Sequence, residues 1–323
     1  MIVALPLASP PGASETGAAL TANFYRDFED RHRGSRALIK SRLQVYLPLV
    51  LPLAHQHPQA SVLDLGCGRG EWLELLHEQN VKAQGVDLDE GMLAACRERQ
   101  LNVTNSDVME CLKQQADQSL LVVSGFHIAE HLPFAVLQEL FAQARRVLLP
   151  DGLLILETPN PENLVVGTAS FYLDPSHLRP LPSQLLIFLA EHRGFGQVQL
   201  LRLQEEARLA TDGPLNLYDV LAGVSPDYAI VARIRPDSAQ LDLAPGASLY
   251  TLALRYDQQT QAHQGAYLHS LQAKAEEALA MAHQVQHQVQ QQAEQLAALY
   301  ASSSWRLTRP LRWLHRLLRG NRK

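Results

Sequence analysis

The stretch VLDLGCGRGEW, Val62 to Trp72, sets an apolar run around Asp64 directly ahead of glycines at 66, 68 and 70. A strand that feeds a helix through such a loop points unpaired backbone N–H groups and the positive end of a helix dipole at one place. Glycines there let a ligand touch the main chain. The spacing is G-x-G-x-G, where a dinucleotide fingerprint needs G-x-G-x-x-G, and the Gly-Lys-Ser/Thr of a phosphate loop is missing. Asp64 beside the loop suits a cationic ligand group, such as an amino-acid ammonium.

Outward from this loop, strands and helices alternate. Apolar runs at 61–65, 81–86, 119–124, 152–157, 197–203 and 228–234 read as strands, with helical spacing at 70–79, 90–99, 134–147 and 182–193. That order predicts an α/β fold with a doubly wound, mostly parallel, Rossmann-like sheet, its last two strands an antiparallel pair at the edge. Asp87, in VKAQGVDLDEGM, lies about 20 residues past the loop, where an acid accepts ribose hydroxyls. Asp107, in NVTNSDVME, follows a further apolar run and is placed to accept from an adenine amino group. Three acids at the ends of three successive strands suit a ligand with ammonium, ribose and adenine parts.

The acceptor side of such a site belongs at the same strand ends. SGFHIAEHLPF puts His127, Glu130 and His131 at i, i+3 and i+4, on one face of a helix opening there. One of these groups can take a proton from an acceptor hydroxyl, the preferred reading. Alternatively the three ligate a divalent metal, with His177 of FYLDPSHLRP as a distant fourth, or they merely bond neighbouring loops. Glu157 and Asn160 of LILETPNPENL are expected to face this cleft as substrate-binding residues, with Tyr172 and His177 in a loop over it. Arg36 and Arg42, upstream of the first strand, are candidates to pair with a cofactor carboxylate.

DLGCGRGEW with GVDLD resembles the class I S-adenosylmethionine-dependent methyltransferases over about residues 23–235. The resemblance implies that Gly66, Cys67 and Gly68 pass the methionine moiety, that Asp87 with Leu88 and Met92 surrounds the ribose, and that Asp107 and Val108 meet the adenine. FYRDFEDRHRGSRALIKSRLQVYLPLV, GFHIAEHLPF, ETPNPENLVVG and FYLDPSHLRPLP resemble a narrower group, the methyltransferase domain of bacterial O-antigen chain-terminating enzymes. That resemblance implies O-methylation of a lipid-linked glycan terminus at the inner membrane. It also resembles metal-dependent O-methyltransferases with an E-x-x-E-H helix, although His127 stands where their first Glu would be. Methylation of a small molecule or an RNA end, and a non-catalytic scaffold for glycosyltransferases, stay open as alternatives.

The remaining segments divide simply. Residues 1–22 read as a flexible arm and 23–236 as the methyltransferase-like domain, its first helix punctuated by Pro48, Pro52 and Pro58. A linker spans 237–262 and includes a strand-like run, SLYTLALRY. Over 263–300 Leu268, Leu271, Ala275, Ala278, Ala282, Val285, Val289, Gln292, Leu296 and Leu299 alternate steps of three and four, a coiled-coil seam that predicts homo-oligomers. Within residues 301–323 stand seven basic residues and no acid, so the chain's net charge of −5 leaves −12 on the rest. This amphipathic tail suits an anionic membrane surface or a glycosyltransferase partner, and nucleic acid is not expected. Three cysteines without metal spacing indicate a reducing compartment, and no signal peptide or 18-residue apolar stretch is read. The expected location is therefore cytoplasmic and peripheral at the inner membrane.

Overall fold

Alternation along Ser61–Leu65 (β1) sets the two faces of a sheet: Val62 packs in one layer, Leu63 and Leu65 in the other. A computed structural model describes residues 31–32, 34–235 and 246–312. The expected arm, part of the linker and tail residues 313–323 lie outside the described residues. The other strands are β2 (Ala83–Asp87), β3 (Val103–Asn105), β4 (Leu120–Phe126), β5 (Leu148–Pro159), β6 (Gln197–Leu203) and β7 (Asp227–Arg233). Their order in the sheet is β3-β2-β1-β4-β5-β7-β6. Pairs from β3 through β5 are parallel, whereas β7 runs antiparallel to both β5 and β6. The last two strands do pair, with β7 inside the sheet and β6 at the edge.

Helices cover both faces, as buried parallel strands require. One layer holds α1 (Arg36–Leu43), α2 (Leu47–Gln56) and α3 (Glu71–Glu78), whose Tyr46-to-Leu53 side and Trp72, Leu75 and Leu76 pack on Val62, Val122, Leu153, Ile155 and Val231. Beyond β2 comes α4 (Glu90–Glu98). The opposite layer holds α5 (Val108–Gln114), α6 (Phe134–Val147) and α8 (Ser183–His192) on Leu63, Val123, Leu154, Leu156 and Ile230. Between β5 and α8 lies the short α7 (Leu164–Thr168), and α9 (Leu217–Ala222) precedes β7. Truncating a residue such as Leu154 to Ala in this core costs about 2–5 kcal/mol.

Two prolines do not act as the sequence suggested. Pro48 occupies the first turn of α2, where its missing N–H is not needed, and Pro52 sits inside the helix on its exposed side. The helical run Arg36–Gln56 is in fact long and apolar enough to cross a membrane by length and composition, with mean hydropathy 1.2, contrary to the reading that no such stretch exists. Leu43, Tyr46, Leu49, Val50 and Leu53 spend that apolar character on the sheet.

The chain divides into two compact units, Met1–Tyr256 and Asp257–Lys323. The strand-like run Ser248–Tyr256 is helical instead: it opens α10 (Leu249–Ala301), 53 residues long. Ser248 accepts from the Thr251 N–H at 3.1 Å, and Leu252, three residues into the helix, is fully buried, so cap and period both favour a helix. From Ala266 to Tyr300 every residue is exposed. The short α11 (Ser303–Leu307) follows, and Arg312 stacks 3.6 Å over the Trp305 ring.

Candidate active site

Two of the loop glycines have separable duties. Gly66 takes φ +65°, and a Cβ there would lie 2.5 Å from the tip of the Ile128 side chain, so glycine lets the turn close on the chain after β4 without strain or displacement of that side chain. Gly68 takes φ +48°, and its Cβ would meet no protein atom within 4 Å: that side is open for a ligand to approach the backbone. Its N–H donates to Asp87 Oδ2 at 2.8 Å, while Oδ1 accepts from Asp89 N–H at 2.9 Å. The carboxylate ending β2 is thereby held against the loop.

Beside the loop lies a cavity of about 340 Å³ walled by Asp64, Gly66, Cys67, Gly68, Arg42 and Trp72 together with Phe126, His127, Glu157, Phe171, His177, Gln204 and Asp227. Asp64 is buried, with Oδ1 accepting from Ser124 Oγ at 2.7 Å. Asp87, Leu88, Met92, Asp107 and Val108 are not part of this wall. Leu88 is 67% exposed beyond the β2 end, whereas Met92 and Val108 are buried. Asp107 caps α5, its Oδ1 accepting from the N–H groups of Met109 and Glu110. Arg36 is turned elsewhere: it donates to the Arg69 carbonyl and pairs with Glu74 and Glu71, bracing the loop from behind. Only Arg42 of the two arginines reaches the cavity.

The expected single helix face does not form. His127 adopts φ +57°, and only a 3₁₀ turn, Ala129–His131, follows. A left-handed residue breaks the spacing, so the three side chains diverge. His127 Nε2 faces Glu157 Oε1 at 3.6 Å and Asp227 Oδ1 at 3.8 Å, and its Nδ1 lies 3.3 Å from Glu130 Oε1. His131 is not on the cavity wall; its Nδ1 bonds Ser176 Oγ at 2.9 Å and its ring stands edge-on to His177. Burial, chiefly, keeps the His131 imidazole below its ordinary pKa. Glu130 is buried, with Oε2 accepting from Thr158 and Oε1 in hydrogen-bond geometry with no group. Burial works to raise its carboxyl, but His127 and the charge of His131 outweigh that and hold it below the usual value.

Of the expected substrate residues, Glu157 and His177 line the cavity. Asn160 does not: its buried amide donates to Ser225 O at 2.9 Å, tying β5 to the turn before β7. Tyr172 is 62% exposed and packs edge-on to Phe171, off the wall. His177 Nδ1 lies 2.6 Å from the Phe171 carbonyl, which can only accept. The neutral ring therefore carries its lone pair on Nε2, 3.9 Å from both Glu130 Oε1 and Asp174 Oδ2.

Two wall residues, Gln204 and Asp227, and one buried behind the wall, Tyr46, had no sequence signal assigned. Tyr46 donates to Glu157 Oε2, and burial and the Glu157 charge push its phenol well above the usual value, so it stays a donor. Gln204 Nε2 donates to Asp227 Oδ2 at 2.9 Å. Asp227 opens β7 opposite Pro159, and burial pushes its carboxyl up, with His127 opposing and Glu157 adding. Because β7 is antiparallel, its first residue reaches the edge where parallel strands end.

The residues fit S-adenosylmethionine: an open backbone at Gly68, a carboxylate at the β2 end, and buried Asp64 on the cavity wall. Residues 62–152 match a methyltransferase domain family. Probable S-adenosylmethionine-dependent methyltransferases of Mycolicibacterium smegmatis and Mycobacterium tuberculosis are each 31% identical, over 44% and 49% of this chain and 54% and 56% of their own length. The chain thus spans about half the length of the curated relatives it matches. The crystal structure of a SAM-dependent methyltransferase from Archaeoglobus fulgidus is 33% identical with a TM-score of 0.58, over 65% of this chain and 99% of that one. With that domain match, that relative and the cradle at Gly68 and Asp87, this chain belongs to the class I S-adenosylmethionine-dependent methyltransferases, and S-adenosylmethionine is its cofactor.

Proposed function

We propose that this chain methylates an oxygen, a hydroxyl at the non-reducing terminus of a lipid-linked cell-surface glycan of the O-antigen type, capping or modifying it. The observation that carries the reading is His177, on the wall of the cavity that the glycine loop borders, with its lone pair fixed at Nε2. S-adenosylmethionine, when bound, supplies an electrophilic sulfonium methyl and leaves as the thioether. A sugar hydroxyl holds its proton far above neutral pH, so a base must remove it as the new C–O bond forms. His177 Nε2 takes that proton, and Glu130 and Asp174, each 3.9 Å away, counter the imidazolium charge. Glu130 also lies beside His127 and acts as a positioning residue. His131 supports His177 by ring contact rather than meeting the acceptor.

The wall combines Arg42, Gln204, Glu157 and Asp227 with the rings of Phe126 and Phe171. Planar hydrogen-bonding groups beside aromatic faces suit the hydroxyls and C–H surface of a sugar ring. The seam over 263–300 supports self-association, and the arginine- and leucine-rich end supports docking at the anionic cytoplasmic face of the inner membrane or on a glycosyltransferase. His177→Ala is expected to lower kcat by about 10²–10⁴ with S-adenosylmethionine affinity retained. Mass spectrometry of surface polysaccharide from cells with and without the protein should differ by one methyl on the terminal residue. Identical glycans, or full activity without the imidazole, would overturn the proposal.

A further inference from the structure

We propose that His127, Glu157 and Asp227 form a binding site for one divalent transition-metal cation in the acceptor half of the cavity. One donor atom from each residue, His127 Nε2, Glu157 Oε1 and Asp227 Oδ1, converges there, all within 4.8 Å of one another. Donors arranged cis around a first-row ion at ~2.1 Å stand ~3 Å apart, so the observed 3.6 and 3.8 Å separations need shifts of less than 1 Å.

The support behind these atoms has the form a metal site needs. Each carboxylate offers one oxygen to the centre while the other is held from behind, by the Tyr46 hydroxyl at Glu157 Oε2 and by the Gln204 amide at Asp227 Oδ2. Behind the third ligand, buried Glu130 Oε1 lies 3.3 Å from His127 Nδ1, where a small ring rotation would make the carboxylate–histidine bond that orients a metal-bound imidazole. The Glu157 side chain is nine-tenths buried, and its Oε1 accepts no hydrogen bond among the described residues, leaving it directed at His127 Nε2 and the centre. Two carboxylates and an imidazole favour manganese, iron or zinc over magnesium or calcium.

A second cluster, Glu130, His131 and His177, is close enough to compete. Its His131 is off the cavity wall, and both its histidines use Nδ1 on Ser176 and Phe171. The cavity opens on the first set, which gives that set an entry path. An ion there would hold the acceptor oxygen and lower its pKa before His177 takes the proton. That last role rests on the oxygen-methylation reading; the existence of the site does not.

The test is manganese uptake by the full chain at neutral pH, followed by calorimetry and by loss of the free-ion electron paramagnetic resonance signal. One ion per chain is expected. Asp227→Asn and Glu157→Gln should abolish uptake, Tyr46→Phe should weaken it roughly 10–100-fold, and His131→Ala should leave it intact. Retained S-adenosylmethionine binding shows that each variant is folded. No uptake at about 1 mM manganese (the affinity of the weakest extracellular metal modules), uptake indifferent to Asp227→Asn, or uptake lost on His131→Ala alone would overturn the site. Polysaccharide methylation without metal uptake would leave the proposed activity standing and remove the cation.

Discussion

Asp87 joins the two halves of the cofactor cradle. One of its oxygens secures the Gly68 N–H and the other the Asp89 N–H, so removing the carboxylate loosens the loop and, on the expectation that Asp87 meets the ribose, also deletes that acceptor. Hydrogen bonds to charged groups are each worth about 1.5–3 kcal/mol, so Asp87→Ala should cost about 3 kcal/mol, a factor of more than 100 in S-adenosylmethionine affinity. Calorimetric titration checks this; an unchanged dissociation constant would show that the ribose lies elsewhere. That Asp64, Gly66, Gly68 and Asp87 gather at one place was legible because the signal is local: one loop, and one strand end a fixed distance on. Asp227 and Gln204 on the wall, and Tyr46 behind Glu157, were not, because three distant segments bring them together and no spacing announces them. The His127, Glu130 and His131 spacing was visible yet misleading. Its reading assumed helical backbone, and the left-handed His127 turns that ring toward β5 and β7.

At the scale of elements, the acceptor half depends on the chain that leads into β7. Asn216 and Asp219 form a reciprocal capping box at the start of α9, and Arg208 also donates to Asp219. Arg208, first, and the Asn216 N–H hold the Asp219 carboxyl below its ordinary value. A depressed folded-state pKa stabilises the protein above the unfolded-state value, and the contribution fades as pH falls through the folded-state value. Asp219→Asn should therefore lower stability by about 1 kcal/mol near pH 7, within the usual range for a lost cap. The gap from wild type should close as denaturation midpoints are taken from pH 5 towards pH 3. A gap constant across that range would mean that Asp219 acts by shape and not by charge. The sheet itself could be read ahead of the structure because β1, β4 and β5 are apolar runs, but β3, only Val103–Asn105, is too short to carry a period. The prolines of α2 misled because Pro48 in the first turn costs no bond, and Pro52 on the exposed side costs one and leaves the buried face intact.

At the scale of the molecule, α10 raises a question of support. A helix of 53 residues is about 80 Å long at 1.5 Å per residue, and among its residues only Leu252 is buried. Most helical stability in proteins comes from packing an apolar face, yet Leu268, Leu271, Val285, Val289, Leu296 and Leu299 are all 43–62% exposed. Their three- and four-residue steps form a seam that a second copy of the same seam would cover. The alanines at 275, 278 and 282 contribute little area there, so the valines and flanking leucines must carry the association. Val285→Asp combined with Val289→Asp would set like charges facing each other in that interface. If the seam self-associates, sedimentation velocity should show the wild type as a dimer or trimer and this variant as a monomer, and far-ultraviolet circular dichroism of the variant should lose helix signal. S-adenosylmethionine affinity should not change, because the cradle lies within Met1–Tyr256. A wild type that sediments as a monomer at micromolar concentration, with its helix signal intact, would show that α10 stands without a partner and that its seam serves some other contact.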